Sequence, residues 1–329
     1  MIKRFSAALT VLCAAFAVSA VAAPAASAET RAPRPDTLTI PGDNYYPESI
    51  SAAAGGDLYV GSIVTGAVVR FRPGVWTSEE FLPAGTNIGT AGVLVDDARK
   101  VLWTCNIDLS FQTPTSLRAF SLATGERVAE YVFPDRGVCA DLALVGGAVF
   151  ATDTTDPTAS PALPGRILRL TTPSGTSAKN GTLSVWSADP LLTGGQAGLQ
   201  INGIAYDGRG TVFVTNYSSG KLVKVRLSAD GSAGAAAVIP LDRAFVNPDG
   251  IRMLDAYRLL VTENPGRLST VDVRTGVSTV VSDTVDQPTS VVRVGRDLWV
   301  AEGQVLRLQR GEAPRIPFTV RRVPAPFGW

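Results

Sequence analysis

Short apolar runs, each closed by Gly, Pro, Asn or Asp, recur along nearly the whole chain, and no long stretch keeps helical spacing. Such runs, bounded by turn residues, predict strands and an all-β domain. Six segments align: YPESISAAAGGDLYVGS, TAGVLVDDARKVLWTCN, CADLALVGGAVFATD, INGIAYDGRGTVFVTN, PDGIRMLDAYRLLVTE and PTSVVRVGRDLWVAE. Each holds an apolar strand, a tight turn and a second apolar strand ending in a small or polar residue. The first core residues are Ile50, Val93, Leu142, Ile204, Ile251 and Val291, separated by 43, 49, 62, 47 and 40 residues. Most of these intervals match the ~40–50 residues of a four-stranded propeller blade. The interval of 62 contains TTDPTASPALPG, whose prolines and small residues predict a surface loop.

Further strands are expected after each pair. AVVRFRP, SLRAFSL, RILRLTT, KLVKVRL, RLSTVDV and QVLRLQR alternate apolar and polar residues, as a third strand would. RVAEYVF and AAVIPL fit a fourth, outer strand. Four strands in each of six units predict a six-bladed β-propeller with four-stranded antiparallel blades around a central channel. TLTIPG, beginning at Thr37, resembles an outer strand but precedes blade one, so it is expected to close the ring on blade six; FTVRRV near the C-terminus is the alternative. A seven-bladed ring or a pair of β-sandwiches are the competing architectures.

Charge alters the reading of the N-terminus. Lys3 and Arg4 precede SAALTVLCAAFAVSAVAA, and Ala26-Ser27-Ala28 follows. A basic start, an apolar run and an A-x-A site predict a signal peptide over 1–28, cleaved after Ala28, and a secreted protein. Residues 29–36 then form a flexible lead-in and 37–329 a single propeller domain. Taking Lys3 and Arg4 from the 30 basic residues leaves 28 against 29 acidic, which gives no footprint for nucleic acid or an anionic membrane. The oligomeric state is not legible.

The chain has no histidine. That excludes Ser-His-Asp and Cys-His catalysis and most zinc, copper and iron sites. A bound metal would need oxygen ligands, which favours calcium, magnesium or manganese. Beyond the leader only Cys105 and Cys139 remain. Each falls at one end of neighbouring blades, so either a disulfide or two buried thiols is consistent.

The repeat gives candidate site residues a register. Two places before the first core residue stand Glu48, Ala91, Ala140, Asn202, Asp249 and Thr289. Inner strands of a propeller run in one direction, so these six positions form a ring at one mouth of the channel. Taken alone, Pro-Asp-Gly around Asp249 reads as a turn. Together, Glu48, Asn202 and Asp249 supply two carboxylates and an amide oxygen, a set suited to one hard divalent cation. A second ring, Ser62, Asn106, Asp153, Asn216, Glu263 and Glu302, ends the adjacent strands and is expected to be mostly structural, with Asn106 or Asp153 reaching the pocket.

PESI with Glu48, NGIAYD with Asn202 and PDGIRML with Asp249 resemble elements of the regucalcin/gluconolactonase propellers, with strictosidine-synthase-like propellers close behind. The resemblance implies that Glu48, Asn202 and Asp249 hold one divalent cation and that Asp249 acts as general base in lactone hydrolysis. One element departs from it: where the family has Asn-Asp, this chain has Ala140-Asp141, and the family's sugar-gripping arginine is missing beside it, with Arg136 displaced. Water or Asp141 would then complete the metal site, and the substrate is open. The leading expectation is a secreted, metal-dependent lactonase or esterase-type hydrolase with Asp249 and Glu48 as catalytic residues. The alternatives are a non-catalytic binding propeller for a small molecule, glycan or protein, and a metal-independent, strictosidine-synthase-like enzyme using Glu48.

Overall fold

The structure, a computed structural model, describes residues 34–154, 164–173, 176–193 and 200–326. The signal-peptide and cleavage readings, residues 29–33 of the lead-in and residues 155–163 of the predicted loop lie outside the described residues. Within the lead-in, Arg34 pairs with Asp297 and Asp36 with Arg322. No helix among the described residues is long and apolar enough to cross a membrane.

The architecture is a six-bladed β-propeller. β1 (Thr37–Ile40) comes first. Blade one comprises β2 (Pro47–Ala52), β3 (Leu58–Ser62), β4 (Val68–Phe71) and β5 (Ser78–Leu82). Blade two is β6 (Gly89–Asp96), β7 (Val101–Ile107), β8 (Ser116–Ser121) and β9 (Arg127–Val132). Blade three follows with β10 (Val138–Val145), β11 (Ala148–Thr154), β12 (Arg166–Thr171) and β13 (Thr182–Ser187). In blade four stand β14 (Ile201–Tyr206), β15 (Thr211–Asn216), β16 (Lys221–Leu227) and β17 (Ala233–Val238). Blade five contains β18 (Pro248–Met253), β19 (Arg258–Glu263), β20 (Arg267–Asp272) and β21 (Ser278–Ser282). The last blade has β22 (Pro288–Val294), β23 (Asp297–Glu302) and β24 (Phe318–Pro324), with β1 as its outer strand.

TLTIPG therefore closes the ring as expected, β1 pairing antiparallel with β24 from Thr37–Arg321 to Ile40–Phe318. FTVRRV supplies the third strand of that blade. QVLRLQR does not: Val305–Gln309 is a short helix, α1. Gln304 adopts a left-handed φ of 54° just after β23 and turns the chain out of the sheet. The Gln287 side chain then accepts the N–H of Leu306, a donor that a helix start leaves open, and shares that of Arg307 with the Gln304 carbonyl. The alternating pattern VLRLQ also places Val305 and Leu308 one helical turn apart, so it fits both structures.

The core lies between blades. Ala143, Phe150 and Ile167 of blade three meet Val212, Val214 and Val223 of blade four. Phe213 and Leu222 of blade four meet Leu259 and Val261 of blade five. Trp103 and Trp299, both fully buried, are the largest such side chains. The second strands thus bury one face against the blade before and the other against the blade after, which explains their near-continuous apolar runs.

All six inner strands are bulged at the same place. The register shifts fall at Pro47/Ser49, Thr90/Val93, Cys139/Leu142, Ile201/Ile204, Pro248/Ile251 and Pro288/Ser290. A bulge re-aims the side chain it carries, and here it carries the ring of candidate residues. Asp249 is therefore a bulge residue within β18, not the corner of a turn. The glycines that follow are a packing requirement. A Cβ on Gly203 would come within 2.4 Å of the Asp249 carbonyl oxygen, and one on Gly250 within 2.6 Å of the Thr289 carbonyl oxygen.

Threonines of the second strands pin these bulges from blade to blade. The Thr152 hydroxyl accepts the Asp141 N–H at 2.9 Å and donates to the Asn202 carbonyl at 2.6 Å. Thr215 accepts the Gly203 N–H at 2.8 Å and donates to the Asp249 carbonyl at 2.8 Å. Thr262 reaches the Thr289 carbonyl at 3.0 Å, and Thr289 reaches the Pro47 carbonyl at 3.1 Å. These hydroxyls link blade three through to blade one and hold the backbone at Asn202 and Asp249.

Candidate functional site

A cavity of about 440 Å³ opens at one end of the channel, within the ~300–1,000 Å³ typical of small-molecule sites. Glu48, Asn202 and Asp249 line it together, from blades one, four and five. Ala91 and Ala140 take the equivalent places in blades two and three and leave room there. Thr289 is buried and faces its neighbours' backbone.

The floor is acidic and nearly closed to water. Glu48 and Asp249 are 9% and 5% exposed. Burial pushes the Glu48 carboxyl well above the usual carboxylate range, and the charges of Asp249 and Asp141 add to this; Arg252 acts against it. Asp249 is raised in the same way by burial and by Asp141, while hydrogen bonds from Asn264 and Asn202 lower it. The Asn264 amide reaches Asp249 at 3.2 Å.

Asp141 has a different role. Arg252 grips it bidentately, at 2.6 and 2.9 Å, and it also accepts the N–H groups of Leu142 and Ile204 at 2.8 and 3.1 Å. All its acceptor directions are taken, in an ion pair that joins blade five to blade three beneath the cavity. Asn106 accepts the Ile88 N–H and donates to Ser116. Asp153 accepts the Val138 N–H and pairs with Arg166 at 2.7 Å. Glu263 and Glu302 bind the N–H groups of Val246 and Asp286 in the same manner. The second ring thus ties each approach loop to its own blade, and neither Asn106 nor Asp153 is on the cavity wall. Cys105 and Cys139 form a disulfide between β7 and β10, with Cα atoms 5.5 Å apart, and Cys139 borders the cavity.

Several wall residues were not singled out from the sequence. Tyr217 follows Asn216 at the end of β15, and burial beside Asp249 raises its phenol, which therefore stays a proton donor. Val305, Leu308 and Gln309 come from α1, which forms part of the roof. Had VLRLQ been read for i, i+3 spacing, Val305 and Leu308 would have been visible as one face. Arg252 carried no signal beyond following the Pro-Asp-Gly element.

A divalent cation fits this floor. Two buried carboxylates without a dedicated countercharge would otherwise hold protons, and the donors are hard oxygens. No group of three or more His, Cys, Asp or Glu among the described residues is placed to hold a metal; the oxygens a cation would meet here are those of two carboxylates and the Asn202 amide, and water would have to fill the remaining positions.

No family model matches the chain, and no curated protein matches it in sequence. Solved structures do match in fold. A gluconolactonase from Xanthomonas campestris is similar with a TM-score of 0.63 at 16% identity, over 88% of this chain and 89% of that one. A calcium-binding protein, regucalcin, from Agrobacterium tumefaciens has a TM-score of 0.59 at 15% identity, over 87% and 93%. The PQQ-bound aldose sugar dehydrogenase of Streptomyces coelicolor has a TM-score of 0.59 at 14% identity, over 88% and 97%. In fold the chain is a regucalcin/gluconolactonase-like six-bladed β-propeller. These neighbours share a scaffold and carry different chemistries, so function rests on the site.

Proposed function

We propose that the chain is a hydrolase of the lactonase or esterase type, acting on a small molecule in the axial cavity. The observation that carries this reading is the convergence of Glu48, Asn202 and Asp249 on one cavity floor. Glu48, Asn202 and Asp249 would hold one calcium, magnesium or manganese ion, which supplies Lewis-acid polarisation of a carbonyl when bound. Asp249 takes a proton from water as the water oxygen bonds to the carbonyl carbon. The acyl C–O bond breaks, and the leaving oxygen takes up a proton, so a lactone gives a hydroxy acid with no net redox change. The Tyr217 phenol lies on the same wall and can donate to an oxygen that gains charge.

Export from the cell is part of the proposal, supported by the disulfide and the signal-like N-terminus. A second reading, a binding propeller without turnover, is favoured by Ala140, which removes a donor from the ring.

Hydrolysis of a panel of lactones and esters, with and without calcium, tests the first reading. Asp249→Asn should lower kcat/KM at least about a hundredfold, a size common for loss of a general base, with the fold intact by circular dichroism. Turnover that survives this substitution would sink the assignment of Asp249.

A further inference from the structure

The cavity has two chemically distinct halves. Its carboxylates and the Asn202 amide sit on the floor, and Tyr217, Thr154 and the roof residue Gln309 are its other polar side chains among the described residues. Above the floor the wall is built from Ile63, Ile107, Leu109, Phe111, Val305 and Leu308. Leu109 is 46% exposed at the rim. The rim loop that carries it is well braced. The Asp108 carboxylate accepts hydrogen bonds from the N–H groups of Ser110, Gln112 and Thr113 and from the Ser110 hydroxyl. Two blades round the ring, with blade one between, α1 is held by Gln287 and by the paired bonds of Gln304 to Arg315.

Among the described residues no arginine or lysine lines the cavity to grip a polyol or an acid. Arg252 lies off the wall, with Nη1 and Nη2 on Asp141 and Nη1 also on the Ile251 carbonyl. A polyhydroxylated ligand would press its hydroxyls against the apolar wall and lose water without replacement. An alkyl chain or ring would gain about three- to fourfold in affinity for each methylene buried there.

We propose that the substrate is a lactone or ester whose acyl or ring portion carries an apolar chain of several carbons, the carbonyl on the acidic floor and the chain between the Leu109 loop and α1. This deepens the functional reading above and rests on it. It assigns Leu109, Phe111, Val305 and Leu308 as specificity-determining residues.

The test separates ligand class from catalysis. Calorimetry on the full chain with calcium present would use non-hydrolysable five-membered lactams: unsubstituted, with alkyl chains of increasing length, and a polyhydroxylated sugar lactam. Affinity should rise stepwise with chain length, and the longest alkyl lactam should bind at least tenfold tighter than the sugar lactam. Leu109→Asn with Leu308→Asn should erase most of that gain; both side chains are at least partly solvent-facing, and an unchanged unfolding temperature checks the fold. Affinity independent of chain length, preference for the sugar lactam, or failure of every lactam to bind overturns the proposal. In the parallel hydrolysis panel, turnover of sugar lactones alone also overturns it while leaving the hydrolase reading standing. Alkyl lactams that bind without any lactone or ester being hydrolysed uphold the ligand class and remove the hydrolase reading.

Discussion

Glu48 and Asp249 are acids whose neighbourhood resists ionisation, through burial first and the charge of Asp141 second, with Asp249 also raising Glu48. In the unfolded chain such groups titrate near ~4. At these two sites the folded protein therefore holds more protons than the unfolded chain from about pH 4 up to the raised values, and over that window their contribution to stability falls as pH rises. The contribution is fully present below about pH 4 and is lost as the folded groups ionise. A cation bound by the ionised pair reverses the loss. Metal-free protein should thus unfold at progressively lower temperature as pH rises through the range in which the folded pair ionises, and calcium should restore more stability at the upper end than at the lower. Calcium binding near neutral pH should also release protons, seen as a binding enthalpy that changes with buffer ionisation heat. Glu48→Gln should flatten the pH slope. A slope and a calcium response unchanged in that variant would remove Glu48 from the site. These carboxylates were legible in the sequence because the bulge recurs in every blade at one register. Asp141 was named from the sequence as a possible pocket residue, but its pairing with Arg252 was not legible, because it joins blades three and five across the ring and depends on curvature that no local pattern encodes.

The inner strands are the elements that set the site, and they are held by hydroxyls rather than by the ladder alone. A bulge removes regular pairing, and the unpaired groups then need partners. Thr215 supplies two, accepting from Gly203 and donating to Asp249. Thr215→Val keeps the shape and removes both. It should cost about 1–3 kcal/mol for each buried group left unpaired, and it should weaken calcium binding as well, since the Asp249 backbone loses its fixed position. Denaturant unfolding with calcium calorimetry on the same variant would check both effects. A stability loss with calcium affinity unchanged would show that the threonine serves the fold alone. The same level of organisation explains the one strand that the sequence misplaced. Val305–Gln309 alternates as a strand does, yet Gln304 and Gln287 lie at the point where the chain must leave the sheet, and the five residues become part of the cavity roof.

A propeller buries its core only when the ring is complete, because each blade covers one face of the next. The join lies in blade six, where the N-terminal β1 adds to three C-terminal strands. Leu38 and Ile40 are 1% and 0% exposed there, and they belong to the same cluster as Ile50, Trp299 and Phe318. An outer strand elsewhere in the ring, such as β21, has no fully buried residue, so β1 is more deeply seated than its position suggests. The closing strand spans the molecule's two chain ends, and losing it leaves the edge of β24 open to pairing with other chains. Ile40→Ala should cost about 2–5 kcal/mol, the range for a buried large-to-small change, and it should lower the unfolding temperature seen from every blade rather than from blade six alone. The Leu38→Ala, Ile40→Ala pair should also promote association, visible by light scattering. Tryptophans report on separate regions, Trp103 in blade two, Trp186 in blade three and Trp299 in blade six, so single-tryptophan variants can follow the transition in each. Coincident transitions that shift together would make the ring one cooperative unit closed at β1. Loss confined to the Trp299 signal would mean that blade six opens on its own, and the cavity, which takes α1 from that blade, would then lose its roof before the rest of the fold gives way.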